Sequence, residues 1–411
     1  MGNNFNCPRC GNTDPRYVGY MNGKPYCRFC ISMKGKGAEE KISSKGAVAF
    51  KLKYSLSYDQ SYISQKLIAN YRNKIDTLVN AVCGAGKTEL VYGLMAYCLS
   101  QGKTVAFAVP RRDVVIELFD RISKVFPENS AVSVYGGHTD KLEADIVVLT
   151  THQFYRYNKY FDLIILDEID AFPFKDNELL RSMFERATNG PITMMSATPS
   201  IDVVEYFSKK GRDIVSLSSR FHRHPLPVPI IVKKIWLSKI PYVVSKMRDY
   251  FSKGKKVFVF APTIDKCEKV AKILKIFEKN GTFVHSQCKD RGKRIIDFKN
   301  GKYDYLVTTA VLERGVTFKG LQVIIYDADS EIYGAETLVQ IAGRVGRKID
   351  DPMGEVIYLV NKETDEIRKS IESINTKNKH LQNMLSKNRR EHNPRFNCKR
   401  GNNMSRLPYK T

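Results

Sequence analysis

N-A-V-C-G-A-G-K-T, from Asn80 to Thr88, follows an apolar segment, Thr77 to Val79, and precedes a helical pattern, Glu89 to Leu99. Strand, glycine-rich turn and helix in that order make a phosphate-binding loop. Gly84, Ala85 and Gly86 form its cradle: the glycines let successive N–H groups turn toward phosphate, and the helix N-terminus adds its dipole. Lys87 then reaches the β- and γ-phosphates of ATP, and Thr88 holds Mg2+. The strict pattern G-x-x-x-x-G-K-[ST] asks for glycine where Ala81 stands, so the match is short by one position.

The other half of such a site lies downstream. Leu163 to Leu166 is an aliphatic run that passes directly into Asp167, Glu168, Ile169 and Asp170. This puts carboxylates at the C-terminal end of a buried parallel strand. There Asp167 can bind Mg2+ through water, and Glu168 can orient and deprotonate the attacking water.

Around these motifs, β-rich runs alternate with helical patterns, the signature of parallel sheets covered by helices. Val105 to Pro110, Ala144 to Leu149, Phe161 to Leu166 and Thr193 to Ser196 are the clearest strands of a first α/β unit, residues 51–218. Pro225, Pro227 and Pro229 alternate in a connector, residues 219–230, which favours extended chain. A second α/β unit, residues 231–375, contains the runs Lys256 to Ala261, Tyr305 to Thr309, Val323 to Asp327 and Glu355 to Leu359. Residues 376–411 read as a basic, mobile tail.

Residues 1–50 read as a small module and linker with eight Lys or Arg against three Asp or Glu. Cys7-x2-Cys10 and Cys27-x2-Cys30 are separated by sixteen residues, the spacing of a structural four-cysteine zinc site. A closed set of four thiolates leaves no position for substrate water, so its role is structural. Nine cysteines in a chain of 411 residues do not suggest a disulfide framework. The net charge of +24 points to a polyanionic partner, nucleic acid or an anionic membrane surface. Apolar stretches are too short to span a bilayer and no secretory signal is evident, so a cytoplasmic location is expected.

The order of motifs resembles the superfamily 2 (DEAD/DEAH-type) helicases. Ala81 to Thr88 fits the A-x-x-G-x-G-K-T form of that group, in which alanine at the first position is usual. Asp167 to Asp170 is similar to its acidic motif, and Ser196-Ala197-Thr198 to the S-A-T that couples nucleotide state to lobe movement. T-T-A-V-L-E-R-G-V-T, from Thr308 to Thr317, and Q-I-A-G-R-V-G-R, from Gln340 to Arg347, resemble motifs V and VI. The resemblance implies an α/β fold of two tandem RecA-like parallel-sheet domains behind the zinc module. It implies that Arg344 and Arg347 neutralise transition-state charge, that Gln340 helps position water, and that Gly315 allows close backbone approach to nucleotide or strand. Gln60, in L-S-Y-D-Q, is similar to an adenine-sensing glutamine, with plain solvent exposure as the alternative.

Within that superfamily the chain resembles the ComFA family of late-competence ATPases from transforming Gram-positive bacteria. The four-cysteine module, D-E-I-D-A-F-P-F from Asp167 to Phe174, and R-F-H-R-H-P-L-P-V-P from Arg220 to Pro229 carry this likeness. P-R-R-D-V from Pro110 and T-T-H-Q from Thr150 are similar to strand-contacting motifs, which makes Arg111, Arg112, Thr151 and Thr309 the candidates for the DNA path. The implied function is a single-stranded-DNA-stimulated ATPase that draws transforming DNA inward with other competence proteins at the uptake channel, recruited to the inner face of the membrane. A duplex-unwinding helicase of repair, recombination or replication restart, and a nucleotide-gated DNA-binding adaptor, remain the alternatives.

Overall fold

The computed structural model describes residues 5–391 apart from 9, 32–34, 40, 42–47, 49, 51, 53, 83, 169–177, 218, 219, 221, 311–317 and 349. At 178–181, 384, 385 and 387–391 it describes the backbone alone. A short antiparallel pair, β1 (Val18–Met21) and β2 (Lys24–Cys27), carries the cysteine module.

Two parallel sheets follow. The first is built from β3 (Asp76–Ala81), β4 (Val105–Val109), β5 (Ala131–Val134), β6 (Ile146–Thr150), β7 (Leu163–Asp167), β8 (Ile192–Ser196) and β9 (Arg212–Leu217). Their order is β5-β6-β4-β7-β8-β3-β9. Helices α1 (Tyr58–Arg72), α2 (Lys87–Ser100), α3 (Arg112–Val125), α4 (Glu178–Ala187) and α5 (Ile201–Phe207) accompany it. Strands β4, β6 and β8 are buried at every position, as sheets covered on both faces require. The order sets β7, β8 and β3 side by side, so the acidic motif, Ser196 and the phosphate loop leave three neighbouring strand ends.

The second sheet has the order β10-β15-β14-β11-β13-β12. Its strands are β10 (Ile230–Lys233), β11 (Lys256–Phe260), β12 (Gly281–Val284), β13 (Tyr305–Thr308), β14 (Leu321–Tyr326) and β15 (Val356–Val360), all parallel. Helices α6 (Trp236–Ser252), α7 (Ile264–Phe277), α8 (Arg291–Lys299), α9 (Ala335–Ala342) and α10 (Asp365–Glu391) complete this lobe. Phe258, Phe298 and Phe318 pack with ring centroids 5.0–5.2 Å apart inside it.

The expected tail differs from the structure. Chain from 376 to 391 continues α10, and residues 392–411 lie outside the described residues. Ile367, Ile374 and Leu381 recur at helical spacing and are buried, so the apolar stripe persists where the sequence becomes mostly polar. The helix also reaches back: Asn378 Oδ1 accepts from Leu226 N at 2.8 Å, and its Nδ2 donates to Leu226 O at 2.9 Å. Lys377 Nζ donates to Ala197 O of the first lobe at 3.0 Å.

The cysteine module rests on the first lobe. Ser182 Oγ on α4 donates to Cys10 O at 2.8 Å, and buried Phe154, Met183 and Phe184 join the same apolar cluster as the four cysteines. Its linker is pinned by Arg156, whose Nη1 donates to Lys36 O at 2.6 Å and whose carbonyl accepts from Ala38 N at 2.9 Å.

Candidate nucleotide site and strand path

The phosphate loop runs from the end of β3 to the start of α2. Gly84 and Gly86 have φ of +82° and +76°, the left-handed region that glycine enters without a steric penalty. A Cβ at Gly86 would stand 2.8 Å from Gln60 Nε2. Gln60 itself is buried on α1 and is not solvent-exposed: Nε2 donates to Ala85 O at 2.8 Å, and Oε1 accepts from Ser57 N at 2.8 Å. That side chain ties the helix cap to the loop.

Lys87 Nζ lies 3.7 Å from Asp167 Oδ1, which brings the two halves of the sequence motif together. Thr88 is buried beside them on α2. Glu168 follows at φ +59°, a conformation that costs a non-glycine residue strain, and its N–H donates to Asp167 Oδ1 at 2.9 Å. Ile169, Asp170 and Gly315 lie outside the described residues.

The second lobe closes against this edge. Ser196 Oγ accepts from Thr198 N at 3.0 Å, and Thr198 Oγ1 accepts from Gln340 Nε2 at 3.1 Å, so the S-A-T segment and motif VI touch. Arg344 is buried just beyond α9, and Arg347 Nε donates to Gly343 O at 2.8 Å.

Arg220, in the connector, has a role that no motif spacing marks. It is 2% exposed, and its guanidinium donates to the carbonyls of Val345 and Gly346 at 2.9 Å each and of Gly343 at 3.4 Å. Its side chain passes 3.8 Å from where a Gly84 Cβ would stand. One arginine of the connector thus bonds the arginine segment of the second lobe, and its side chain passes near the phosphate loop of the first. His222 Nε2 donates to Gly346 O at 2.9 Å while Nδ1 accepts from His224 N at 3.2 Å, which fixes the neutral tautomer. Burial holds that imidazole below its ordinary 6.5, and the Arg220 charge adds to the shift.

The strand candidates are placed unequally. Arg111 stands at the N-terminal boundary of α3 in extended conformation, and Arg112 lies over the Tyr135 ring at 4.8 Å. Thr309 follows β13 half-buried, whereas Thr151 is 2% exposed, so its side chain sits beneath the surface. Across the cleft, Arg291 at the start of α8 pairs with Asp113 on α3. Burial and then the nearby Arg111 charge lower the Arg291 pKa, so the two arginines lie close together with Asp113 as the partner of Arg291.

The cysteine sulfurs suit zinc. Cys7 Sγ to Cys30 Sγ and Cys10 Sγ to Cys27 Sγ are each 3.6 Å, and all four ligand atoms lie within 4.8 Å of one another. Zn–S bonds of about 2.3 Å give a tetrahedral edge of roughly 3.8 Å. Burial pushes the Cys30 thiol up to about 12 and Cys10 up as well, so thiolates here need a cation to compensate them. Among the described residues no helix is long and apolar enough to cross a membrane.

Residues 53–201 match the family model described as type III restriction enzyme, res subunit, and residues 240–348 match the helicase conserved C-terminal domain. The chain is 35% identical to the competence protein ComFA of Bacillus subtilis strain 168, covering 86% of this chain and 81% of that one. It is 32% identical to the competence protein ComFA of Streptococcus pneumoniae strain R6, covering 91% and 90%. Among solved structures, S. cerevisiae Dbp5 bound to RNA and ADP BeF3 aligns with a TM-score of 0.60 at 15% identity, covering 81% of this chain and 97% of that one. RecG bound to a three-way DNA junction aligns at 0.58 and 20% identity, covering 83% and 49%.

Proposed function

This chain belongs to the ComFA family of competence proteins, ATP-hydrolysing helicase-like enzymes of superfamily 2, and on that premise we propose that it is a single-stranded-DNA translocase helping to draw transforming DNA inward. The observation that carries the reading is a nucleotide site set against the lobe interface: Lys87 beside Asp167 within the first lobe, Thr198 bonded to Gln340 across the lobes, and the connector's Arg220 bonded to the carbonyls around Arg344.

Lys87 and the loop N–H groups would hold the ATP phosphates, and Thr88, with Asp167 acting through water, would hold a divalent ion that supplies charge neutralisation when bound. Glu168 takes the proton of the attacking water. Arg344 and Arg347 answer the charge that develops on the phosphoryl group, an interaction typically worth ~10³ to 10⁵ in rate. Ser196, Ala197 and Thr198 couple this chemistry to the lobe interface, because Thr198 bonds Gln340 and Ala197 bonds Lys377. Arg111, Arg112 and Thr309 line the strand path, and binding there is stronger when the lobes close. The four cysteines hold a structural zinc. We place the enzyme in the cytoplasm, recruited to the inner face of the membrane by competence proteins at the uptake channel.

The test is steady-state ATP hydrolysis without nucleic acid and with single-stranded DNA, duplex DNA or RNA, for wild type, Lys87→Ala and Glu168→Gln. Strong stimulation by single-stranded DNA, abolished by both substitutions, is the expected outcome. An active enzyme indifferent to every nucleic acid overturns the translocase reading, and displacement of a strand from a forked duplex replaces it with unwinding.

A further inference from the structure

The chain has a single tryptophan, and it is unusually placed. Trp236 opens α6 with 73% of its surface exposed, between Ile235 at 68% and Leu237 at 61%. A contiguous exposed apolar group of this kind marks a surface that something covers.

Its place in the fold and the charge around it identify the occupant. Every strand of the second sheet is parallel, so the segment after β10 lies at the same carboxyl edge as Thr309 after β13. Lys234 N meets Val360 O at the end of β15, Ala328 N meets Leu359 O, and Ala261 N meets Thr308 O, one continuous edge. Cations gather where Trp236 stands. Lys233 is exposed, and Lys234 lies over the Tyr242 ring at 5.6 Å. Lys239, one turn along α6, is buried against Asp327, which also takes the partly exposed Lys266 at 2.9 Å, so the one carboxylate is already matched from within and leaves Lys266 incompletely answered. The nearby Asp329 accepts from the backbone of Asn361 and Lys362, and Asp265 is taken by Lys269. An apolar ring on a cationic edge suits a base and its phosphate better than an apolar protein face.

We propose that Trp236 is a base-stacking platform for single-stranded DNA, an extension of the strand path along the carboxyl edge of the second lobe, with Lys233 and Lys234 on the backbone phosphates. The proposal rests on the single-strand reading of the preceding subsection. Four strand spacings separate β10 from β13, roughly 19 Å, so only a strand several nucleotides long engages Thr309 and Trp236 together.

Because no other tryptophan is present, its emission reports this one place. The experiment titrates the full chain with oligo-dT of about 3 nucleotides, too short for that span, and of about 20, beyond typical single-strand site sizes. It reads tryptophan emission, anisotropy of the labelled oligonucleotide and ATP hydrolysis together. The long oligonucleotide quenches the emission and the short one leaves it nearly unchanged. Trp236→Ala keeps the DNA-free hydrolysis rate and raises the half-saturating concentration of the long oligonucleotide by roughly five- to a hundredfold. Trp236→Phe, which keeps a stacking face, restores most of the loss. Binding by anisotropy with unchanged emission, and an unaltered half-saturation in Trp236→Ala, overturns the platform and returns the apolar group to protein contact. No binding by anisotropy at either length overturns the single-strand reading itself, and the platform with it.

Discussion

At the residue scale, Arg220 carries more of the geometry than its place in a proline-rich connector suggests. A guanidinium shared among three buried carbonyls cannot be replaced by an ammonium, which lacks the planar fork. Arg220→Lys and Arg220→Ala should each lower the ATP turnover rate ten- to a hundredfold, the loss of about 1.5–3 kcal/mol from a charge-assisted hydrogen-bond set. Small-angle scattering should show the lobes more open. His222 gives a pH dependence with a definite sign. Its folded pKa lies below 6.5, so the neutral ring contributes stability that is complete above pH 6.5 and declines as pH falls below it. Protonating Nδ1 breaks the bond from His224 N. Thermal unfolding followed from pH 7.5 down to about 5.5 should show an acid limb that His222→Gln flattens; an identical limb in both proteins rejects the assignment.

At the scale of elements, α10 and the cysteine module brace the motor from opposite ends. Asn378 pairs with both backbone groups of Leu226, as a neighbouring strand would, so Asn378→Ala leaves a buried N–H and C=O without that partner. We expect a loss of about 1–3 kcal/mol and an unfolding midpoint lower by several degrees in scanning calorimetry. Zinc should be found by elemental analysis of the purified protein and be lost from Cys10→Ser. Because Ser182 and Arg156 hold the module to the first lobe, metal loss should also expose that face to proteolysis. An unchanged cleavage pattern after chelation would mean that the module and lobe are mechanically independent.

At the scale of the whole molecule, the charge of +24 acts on affinity and not on base choice. If about five phosphates are neutralised, the logarithm of affinity for single-stranded DNA should fall against the logarithm of salt with a slope of about −3.5. Replacing Arg111 and Arg291 together should flatten that slope by about one to two. A slope near zero would remove the cleft from the strand path.

Both sheets, their parallel sense and the pairing of Lys87 with Asp167 were legible in the chain itself. The reason is local: a buried parallel strand must be an apolar run, a phosphate loop needs glycine at left-handed positions, and two Cys-x2-Cys pairs present four thiolates within one short module. Resemblance added the assignments of Gln340, Arg344 and Arg347. What tertiary structure decided is contact between residues far apart in sequence. Arg220 meets Gly346, Asn378 meets Leu226, Lys377 meets Ala197, and Gln60 is spent on the phosphate loop. Apart from Gln60, which its motif marks without giving its partner, none of these residues has a periodic or spaced pattern to betray it, because each bonds a carbonyl or amide that every residue possesses. Exposure is equally invisible in sequence: nothing in the residues around Trp236 marks it as a surface position until the lobe is assembled and leaves it there.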